Sequence, residues 1–189
     1  MSVNLLTDAT ATTPALRLRP WRPHDAPTLV TAHRDSAMRQ WLLRHIATET
    51  EALQWIDAMT EAWAADTRYT FAILDGTDKP TAPPLGSIAV KMTSDFAPNA
   101  AEVGYWTSGA ARGRGIASTA LAMVSDWIPT IQPALDRLEL LHSVGNAASC
   151  RVAEKSGYPL EAELPPFPPD FPNPGHLHVR VLKNLSPRR

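Results

Sequence analysis

The sequence predicts an α/β (α+β) domain of strands and helices in mixed order. Three observations predict it. Leu16-Arg-Leu-Arg-Pro-Trp21 and Leu85-Gly-Ser-Ile-Ala-Val-Lys-Met92 read as strands, as does Tyr69–Leu74. Ala117, Leu121, Val124 and Ile128 form one apolar stripe at helical spacing. Between these patterns lies Glu102-Val-Gly-Tyr-Trp-Thr-Ser-Gly-Ala-Ala-Arg-Gly-Arg-Gly-Ile-Ala-Ser118, a strand that runs through a glycine and arginine turn into a helix start.

The elements follow in order. Residues 1–14 read as a flexible N-terminal arm, and 15–189 as a single domain. Leu16–Trp21 is the first strand. Helices are expected from His24 to about Arg34 and from Asp35 to about His45. Thr48-Glu-Thr-Glu51 fits a capping box, in which the threonine oxygen and the glutamate carboxylate each accept an otherwise unpaired N–H. The helix it opens reaches about Ala65. Strands Tyr69–Leu74, Leu85–Met92 and Ala101–Thr107 come next, with a loop over Lys79–Pro84. The helix after the turn ends at Pro129, since proline removes a helix donor. Arg137–Val144 is a strand. Asn146 caps a helix to Ser156, which Gly157 stops. Tyr158–Leu164 is extended, Pro165–Pro174 is a proline run that no central strand accepts, and His176–Leu182 is the final strand.

Composition narrows the function. Of 189 residues 44% are hydrophobic, and 18 basic against 19 acidic residues leave a net charge of −1. That balance gives no bulk attraction to nucleic acid or to an anionic membrane. No apolar run reaches the roughly 18 residues of a membrane span, and the first residues lack the pattern of a signal peptide. A cytoplasmic protein, monomer or homodimer, is expected. A lone cysteine, Cys150, excludes an internal disulfide framework and a multi-cysteine zinc site.

The turn carries the chemistry. The amides of a helix's first turn have no partner within the helix, and the helix dipole adds positive potential there. Gly113 and Gly115 allow close backbone approach, and Arg112 and Arg114 offer guanidinium forks for phosphate oxygens. A diphosphate site is the reading. The turn is neither a P-loop nor a dinucleotide fingerprint. A tight turn with solubilising arginines, or a fragment of an RNA-binding tail, would also write RGRG.

Arg112-x-x-Gly115-x-Ala117 resembles the [RQ]-x-x-G-x-[GA] motif of the GNAT acetyltransferase superfamily. Asn146-Ala-Ala-Ser149-Cys-Arg-Val-Ala-Glu-Lys155-Ser-Gly157-Tyr158 resembles that superfamily's N-x-x-S-x-x-[VL]-x-x-K-x-G-[FY] block. With Glu102-x-Gly104-Tyr105-Trp106 and the opening Leu-Arg-Leu-Arg-Pro-Trp, the match is similar to the RimJ/RimL-type branch and covers roughly residues 15 to 185.

The resemblance implies the GNAT fold, a mixed, mostly antiparallel sheet splayed between two parallel strands, with helices on both faces. It implies that acetyl-CoA is the acyl donor. Backbone groups of Tyr105, Trp106 and Thr107 would pair with the pantetheine arm, those of Arg112, Gly113, Arg114, Gly115, Ile116 and Ala117 would hold the diphosphate, and Asn146 would contact the coenzyme arm. The acceptor would be an amine, either a protein N-terminus or a small molecule such as an antibiotic or polyamine. A non-catalytic acyl-CoA-binding module is the reading from another class.

Three residues are candidates for catalysis. Glu102 could serve as base if burial raises its pKa, or it is an exposed strand-end carboxylate. His142 could relay a proton, or it is a core histidine. The tyrosine that GNAT enzymes use to protonate the thiolate would fall at Ala153, so this chain departs from the pattern there. Ser149 is the substitute the branch implies; its alternative is a helix-start serine. Cys150 reads as a small filler rather than a nucleophile. His176 and His178, with Asp170, could line the acceptor mouth or bind a metal, but no third ligand is evident, and no metal is expected. Trp41, Phe167 and Phe171 are possible walls of the acceptor site.

Overall fold

The structure is a computed structural model and describes residues 3–10, 13–42, 45–76, 82–169 and 171–182. In chain order the elements are β1 (Leu5–Thr7), β2 (Leu16–Pro20), α1 (Ala26–His33), α2 (Ser36–Trp41), α3 (Glu49–Ala64), β3 (Arg68–Asp75), β4 (Gly86–Lys91), β5 (Ala100–Thr107), α4 (Ile116–Ile131), β6 (Arg137–Ser143), α5 (Ala147–Lys155), β7 (Leu160–Leu164) and β8 (Gly175–Val181). The strands form one sheet in the order β1-β2-β3-β4-β5-β6-β8-β7. All neighbours are antiparallel except β5 and β6. The expected mixed, mostly antiparallel sheet is present, with helices on both faces.

Alternation along the strands sorts the core into two layers. Leu16 and Leu18 of β2, Phe71 and Ile73 of β3, Ile88 of β4 and Val103 of β5 pack with Ile116, Leu121, Val124 and Ile128 of α4. Leu121, Val124 and Ile128 are members of the stripe read from sequence; its fourth member, Ala117, is only half-buried, and Ile116 takes its place in the core. Ala72 and Leu74 on the other face pack with Ala26 and Leu29 of α1 and with Ala52 and Ile56 of α3. Trp21 joins this second layer with its ring centroid 5.7 Å from Trp55 and 6.0 Å from Trp106. Arg19 is buried and forks onto Asp25 at 2.7 and 2.9 Å, which ties β2 to the entry of α1. The capping box forms as read: Thr48 Oγ1 accepts from the Glu51 amide at 3.2 Å, and the Glu51 carboxylate accepts from the Thr48 amide at 3.3 Å.

Three expectations need correction. The N-terminal arm is not loose over Leu5–Thr7, which pairs with Leu16–Leu18 as edge strand β1. α2 ends at Trp41 rather than near His45. α4 passes through Pro129 to Ile131. Proline there lacks the amide that would bond one turn back, and the helix closes two residues later, so little pairing is lost. The expected loop over Lys79–Pro84 lies partly, and Asp170 wholly, outside the described residues.

One feature of the sheet positions the site. β5 and β6 pair over only Ala100–Glu102 and Arg137–Glu139. Beyond Glu102 and Glu139 the ladder stops among the described residues, although β5 continues to Thr107 and β6 to Ser143. β5 stays bonded to β4 along that length, and β6 to β8. The two central strands therefore part like a V.

Candidate functional site

The site begins with the backbone at the mouth of the V. Ser108 donates its amide to Leu85 O at 2.8 Å. In an antiparallel pair only alternate residues exchange bonds. The continuous register then spends the backbone groups of Trp106, opposite Ser87, and of Gly104, opposite Ala89, on β4. Those of Val103, Tyr105 and Thr107 turn toward β6. The expected coenzyme-arm contact through Trp106 backbone is corrected accordingly; its indole packs in the α1–α3 layer.

Beyond β5 the chain makes one short 3-10 turn and enters α4. Gly113 and Gly115 both sit at positive φ, +75° and +72°, where a Cβ is strained. The first bond within α4 runs from the Thr119 amide to Gly115 O at 3.0 Å. The amides of Ile116, Ala117 and Ser118 are thus free of helix partners, as helix geometry requires. Thr13 approaches this turn closely: a Cβ on Gly115 would lie 2.7 Å from its hydroxyl.

A cleft of about 410 Å³ joins these parts. Tyr105, Trp106, Thr107, Arg112, Gly113, Gly115, Ile116, Ala117, Asn146 and Ser149 all line it. Of the coenzyme-binding residues read from sequence only Arg114 is not among its walls; it is exposed at the turn. Met38 and Trp41 of α2 form the roof, and Trp41 lies over the β6–α5 turn, where a Cβ on Gly145 would be 3.5 Å from its ring. Asn146 caps α5, accepting from the Ser149 amide at 3.2 Å.

Arg112 differs from expectation. Its guanidinium grips Asp35, the N-cap of α2, at 2.6 and 3.3 Å instead of pointing freely into the cleft. Those hydrogen bonds hold the Asp35 carboxyl below the usual carboxylate range. Cleft cations come instead from Arg151 and Lys155 of α5. Sequence reasoning named Lys155 only as part of the motif block and gave neither residue a role as a cation. Ala148, Arg151, Val152 and Lys155 follow i, i+3, i+4, i+7 spacing, so one helix face carries them all to the cleft.

The catalytic candidates separate. Ser149 lines the cleft beside Tyr105. The Tyr105 hydroxyl is buried without a hydrogen bond of ordinary geometry. Burial raises its pKa, and the nearby Ser149 hydroxyl offsets this in part. Glu102 sits at the apex of the V, the last β5 residue paired with β6. The expected burial is not found: its side chain is 39% exposed, and Lys91 Nζ lies 3.5 Å away. The buried acid at the apex is its cross-strand partner Glu139, held by Arg137 at 2.8 Å and by the Ser94 hydroxyl.

His142 is not a wall of the cleft. It faces His176 and His178 on β8 and Cys150 on α5, and ligand atoms of all four lie within 4.8 Å of one another. Burial lowers the His142 pKa, and the other two imidazoles lower it further. Two further groups able to ligate a metal, His142 and Cys150, therefore lie beside His176 and His178, where sequence reasoning found none. Burial pushes the Cys150 thiol up, and the Glu154 carboxylate adds to that, so it is no activated nucleophile. Phe167 and Phe171 pair across a small bridge but are 71% and 56% exposed, away from the cleft walls.

The comparisons with known proteins agree with this geometry. Residues 15–159 match the family described as Acetyltransferase (GNAT) domain. The chain belongs to the GNAT acetyltransferase family. Splayed strands, glycine turn and cleft are that family's fold as the motifs implied it. Among solved structures, the ribosomal-protein-S5-alanine acetyltransferase of Vibrio fischeri superposes with a TM-score of 0.77 at 17% identity, covering 98% of this chain and 100% of that one. RimJ of Mycobacterium smegmatis, in complex with a CoA disulfide, gives 0.76 at 19% identity, covering 98% and 88%. The microcin C7 self-immunity acetyltransferase MccE, in complex with acetyl-CoA and AMP, gives 0.75 at 15% identity, covering 92% and 98%. The search of curated proteins gave no match. Among the described residues no helix is long and apolar enough to cross a membrane.

Proposed function

We propose that this GNAT protein transfers the acetyl group of acetyl-CoA to the α-amine of a protein N-terminus by direct attack in a ternary complex. The observation that carries the reading is the single cleft joining free amides at the α4 start to the open β5 edge. One end suits a diphosphate, and the other suits a chain of amides that hydrogen-bonds like a missing strand. Acetyl-CoA has both features in one molecule, the amides in its pantetheine arm and the diphosphate beyond it.

The chemistry follows from what surrounds the V. The ammonium must lose one proton to become a nucleophile, its nitrogen must form a bond to the thioester carbon and then lose a second proton, and the carbon–sulfur bond must break with a proton delivered to sulfur, so that one proton in all passes to solvent. Glu102, at the apex and reached by solvent, takes the ammonium proton directly or through a water. Ser149 stands at the first turn of α5, where the helix N-terminus favours a thiolate. Its hydroxyl donates to the leaving sulfur, and the protonated Tyr105 phenol beside it supplies the proton. This pair stands in for the tyrosine absent at Ala153.

The N-terminal acceptor is supported by the fold neighbours named for ribosomal proteins. A small-molecule acceptor is the second reading, favoured by the likeness to MccE. Thiol release from acetyl-CoA separates them. The proposal expects turnover on peptides with free N-termini, and none on the same peptides with blocked N-termini. Turnover confined to polyamines or antibiotics overturns it in favour of the second reading. Saturable CoA binding without turnover on any amine leaves a binding module.

A further inference from the structure

Four side chains on the α5 side of the sheet have no part in the proposed transfer and yet converge. The register places His142 of β6 directly opposite His176 of β8, and His178 opposite Leu140. Residues two apart on a strand share a face, so three imidazoles form one triangle with ring centroids 5.1 to 5.9 Å apart. Cys150 descends on it from α5, with its sulfur 3.7 Å from His178 Nε2 and 4.0 Å from His176 Nδ1.

Hydrogen bonding fixes which nitrogens are available. His178 Nδ1 lies 2.9 Å from the Tyr158 carbonyl oxygen, and His142 Nδ1 lies 2.8 Å from that of Ser143. A carbonyl only accepts, so both Nδ1 atoms carry the proton and both Nε2 atoms present a lone pair. His142 Nε2 is buried with no partner, and His178 is fully buried. Backbone carbonyls orienting imidazoles in this way are the outer shell that metal-binding histidines use. A buried lone pair with nothing to accept from is costly in an apolar surround; a cation between the rings removes that cost.

The geometry points to a tetrahedral Zn²⁺ site formed by His142, Cys150, His176 and His178. Zinc bonds of about 2.0–2.1 Å to nitrogen and about 2.3 Å to sulfur make tetrahedral edges of about 3.3–3.6 Å. The recorded sulfur-to-nitrogen distances need to close by only a few tenths of an ångström. Three imidazoles and a thiol suit zinc and not the oxygen-seeking Mg²⁺ or Ca²⁺. Four protein ligands leave no open position, so the ion is structural rather than a Lewis acid for substrate. It pins α5, and with it Ser149 and Asn146, onto β6 and β8. Binding releases the Cys150 thiol proton to solvent, leaving a coordinated thiolate.

The test uses the full chain, stripped with chelator and kept under a non-thiol reductant, without CoA. Zn²⁺ is titrated by calorimetry and Co²⁺ by absorbance. The inference expects one ion per chain, a thiolate-to-cobalt charge-transfer band with intense visible bands of tetrahedral cobalt, and a raised unfolding midpoint with Zn²⁺. Cys150→Ser removes the charge-transfer band, and Cys150→Ser and His176→Ala each weaken Zn²⁺ binding on the order of tenfold or more. Both positions are partly exposed, and circular dichroism confirms that each variant folds. No saturable Zn²⁺ binding by the folded wild-type chain overturns the inference. So does cobalt bound without the thiolate band and with equal affinity in Cys150→Ser. Neither outcome bears on acetyl transfer, which the peptide assay reads separately.

Discussion

Gly115 does two things that any side chain would undo. At φ +72° it turns the chain from the end of the 3-10 turn into α4, and its bare Cα lets Thr13 pack against it. A glutamate there is strained, collides with the Thr13 hydroxyl and puts a carboxylate among the amides that the proposal assigns to the coenzyme's diphosphate. Gly115→Glu is therefore expected to lose CoA binding by calorimetry while circular dichroism stays folded; retained affinity in the folded variant would remove the cradle from the account. In the proposed mechanism Glu102 takes the ammonium proton, and Ser149, with Tyr105 beside it, serves the leaving sulfur. Glu102→Gln and Ser149→Ala should each lower kcat by about 10²-fold or more, the typical range for a general acid or base, with acetyl-CoA affinity changed much less. The reverse pattern in steady-state kinetics would make them binding residues.

At the scale of elements, α2 and the anion turn act as one piece through Asp35 and Arg112. Asp35 accepts from the Met38 amide as N-cap and from the Arg112 guanidinium. Its pKa is lowered in the fold by the Arg112 hydrogen bonds. A depressed carboxylate pKa adds stability that is present above the unfolded value of about 3.8 and is lost as pH falls through the lower folded value. Asp35→Ala removes a cap worth about 1 kcal/mol and a partly exposed ion pair worth about 0–1 kcal/mol. Thermal melts should show a midpoint lowered by roughly 2–4 °C per kcal/mol at pH 5–8, with the difference shrinking below about pH 3.8. A difference that grows in acid would contradict the clamp.

Much at this scale was legible in the sequence. The Thr48 capping box, the α4 stripe and the Asn146 cap are local patterns, each settled by residues three or four apart. β1 was not legible, because Leu5–Thr7 is only three residues and gains its order from pairing with β2. Arg112 was misjudged because its partner Asp35 is far away in the chain. The histidine and cysteine cluster needed the β6–β8 register before three imidazoles could be seen to share one face. Trp106 was assigned to the coenzyme arm because motif spacing carries no information on which edge of a strand its amides face.

For the whole molecule, the proposed function rests on a sheet whose two central strands stop pairing beyond Glu102 and Glu139. The strands on either side of the V are fully paired with their outer neighbours, so the opening is built into the topology rather than being a frayed edge. The coenzyme's amide chain would complete the sheet there, and its phosphates would sit where the sheet gives way to α4. Amide hydrogen exchange with and without acetyl-CoA reads this most directly. The account predicts new protection at the amides of Tyr105 and Thr107 and of Ile116 to Ser118, with Trp106 unchanged because β4 already holds it. Saturable binding with protection elsewhere, and none at those amides, would contradict it.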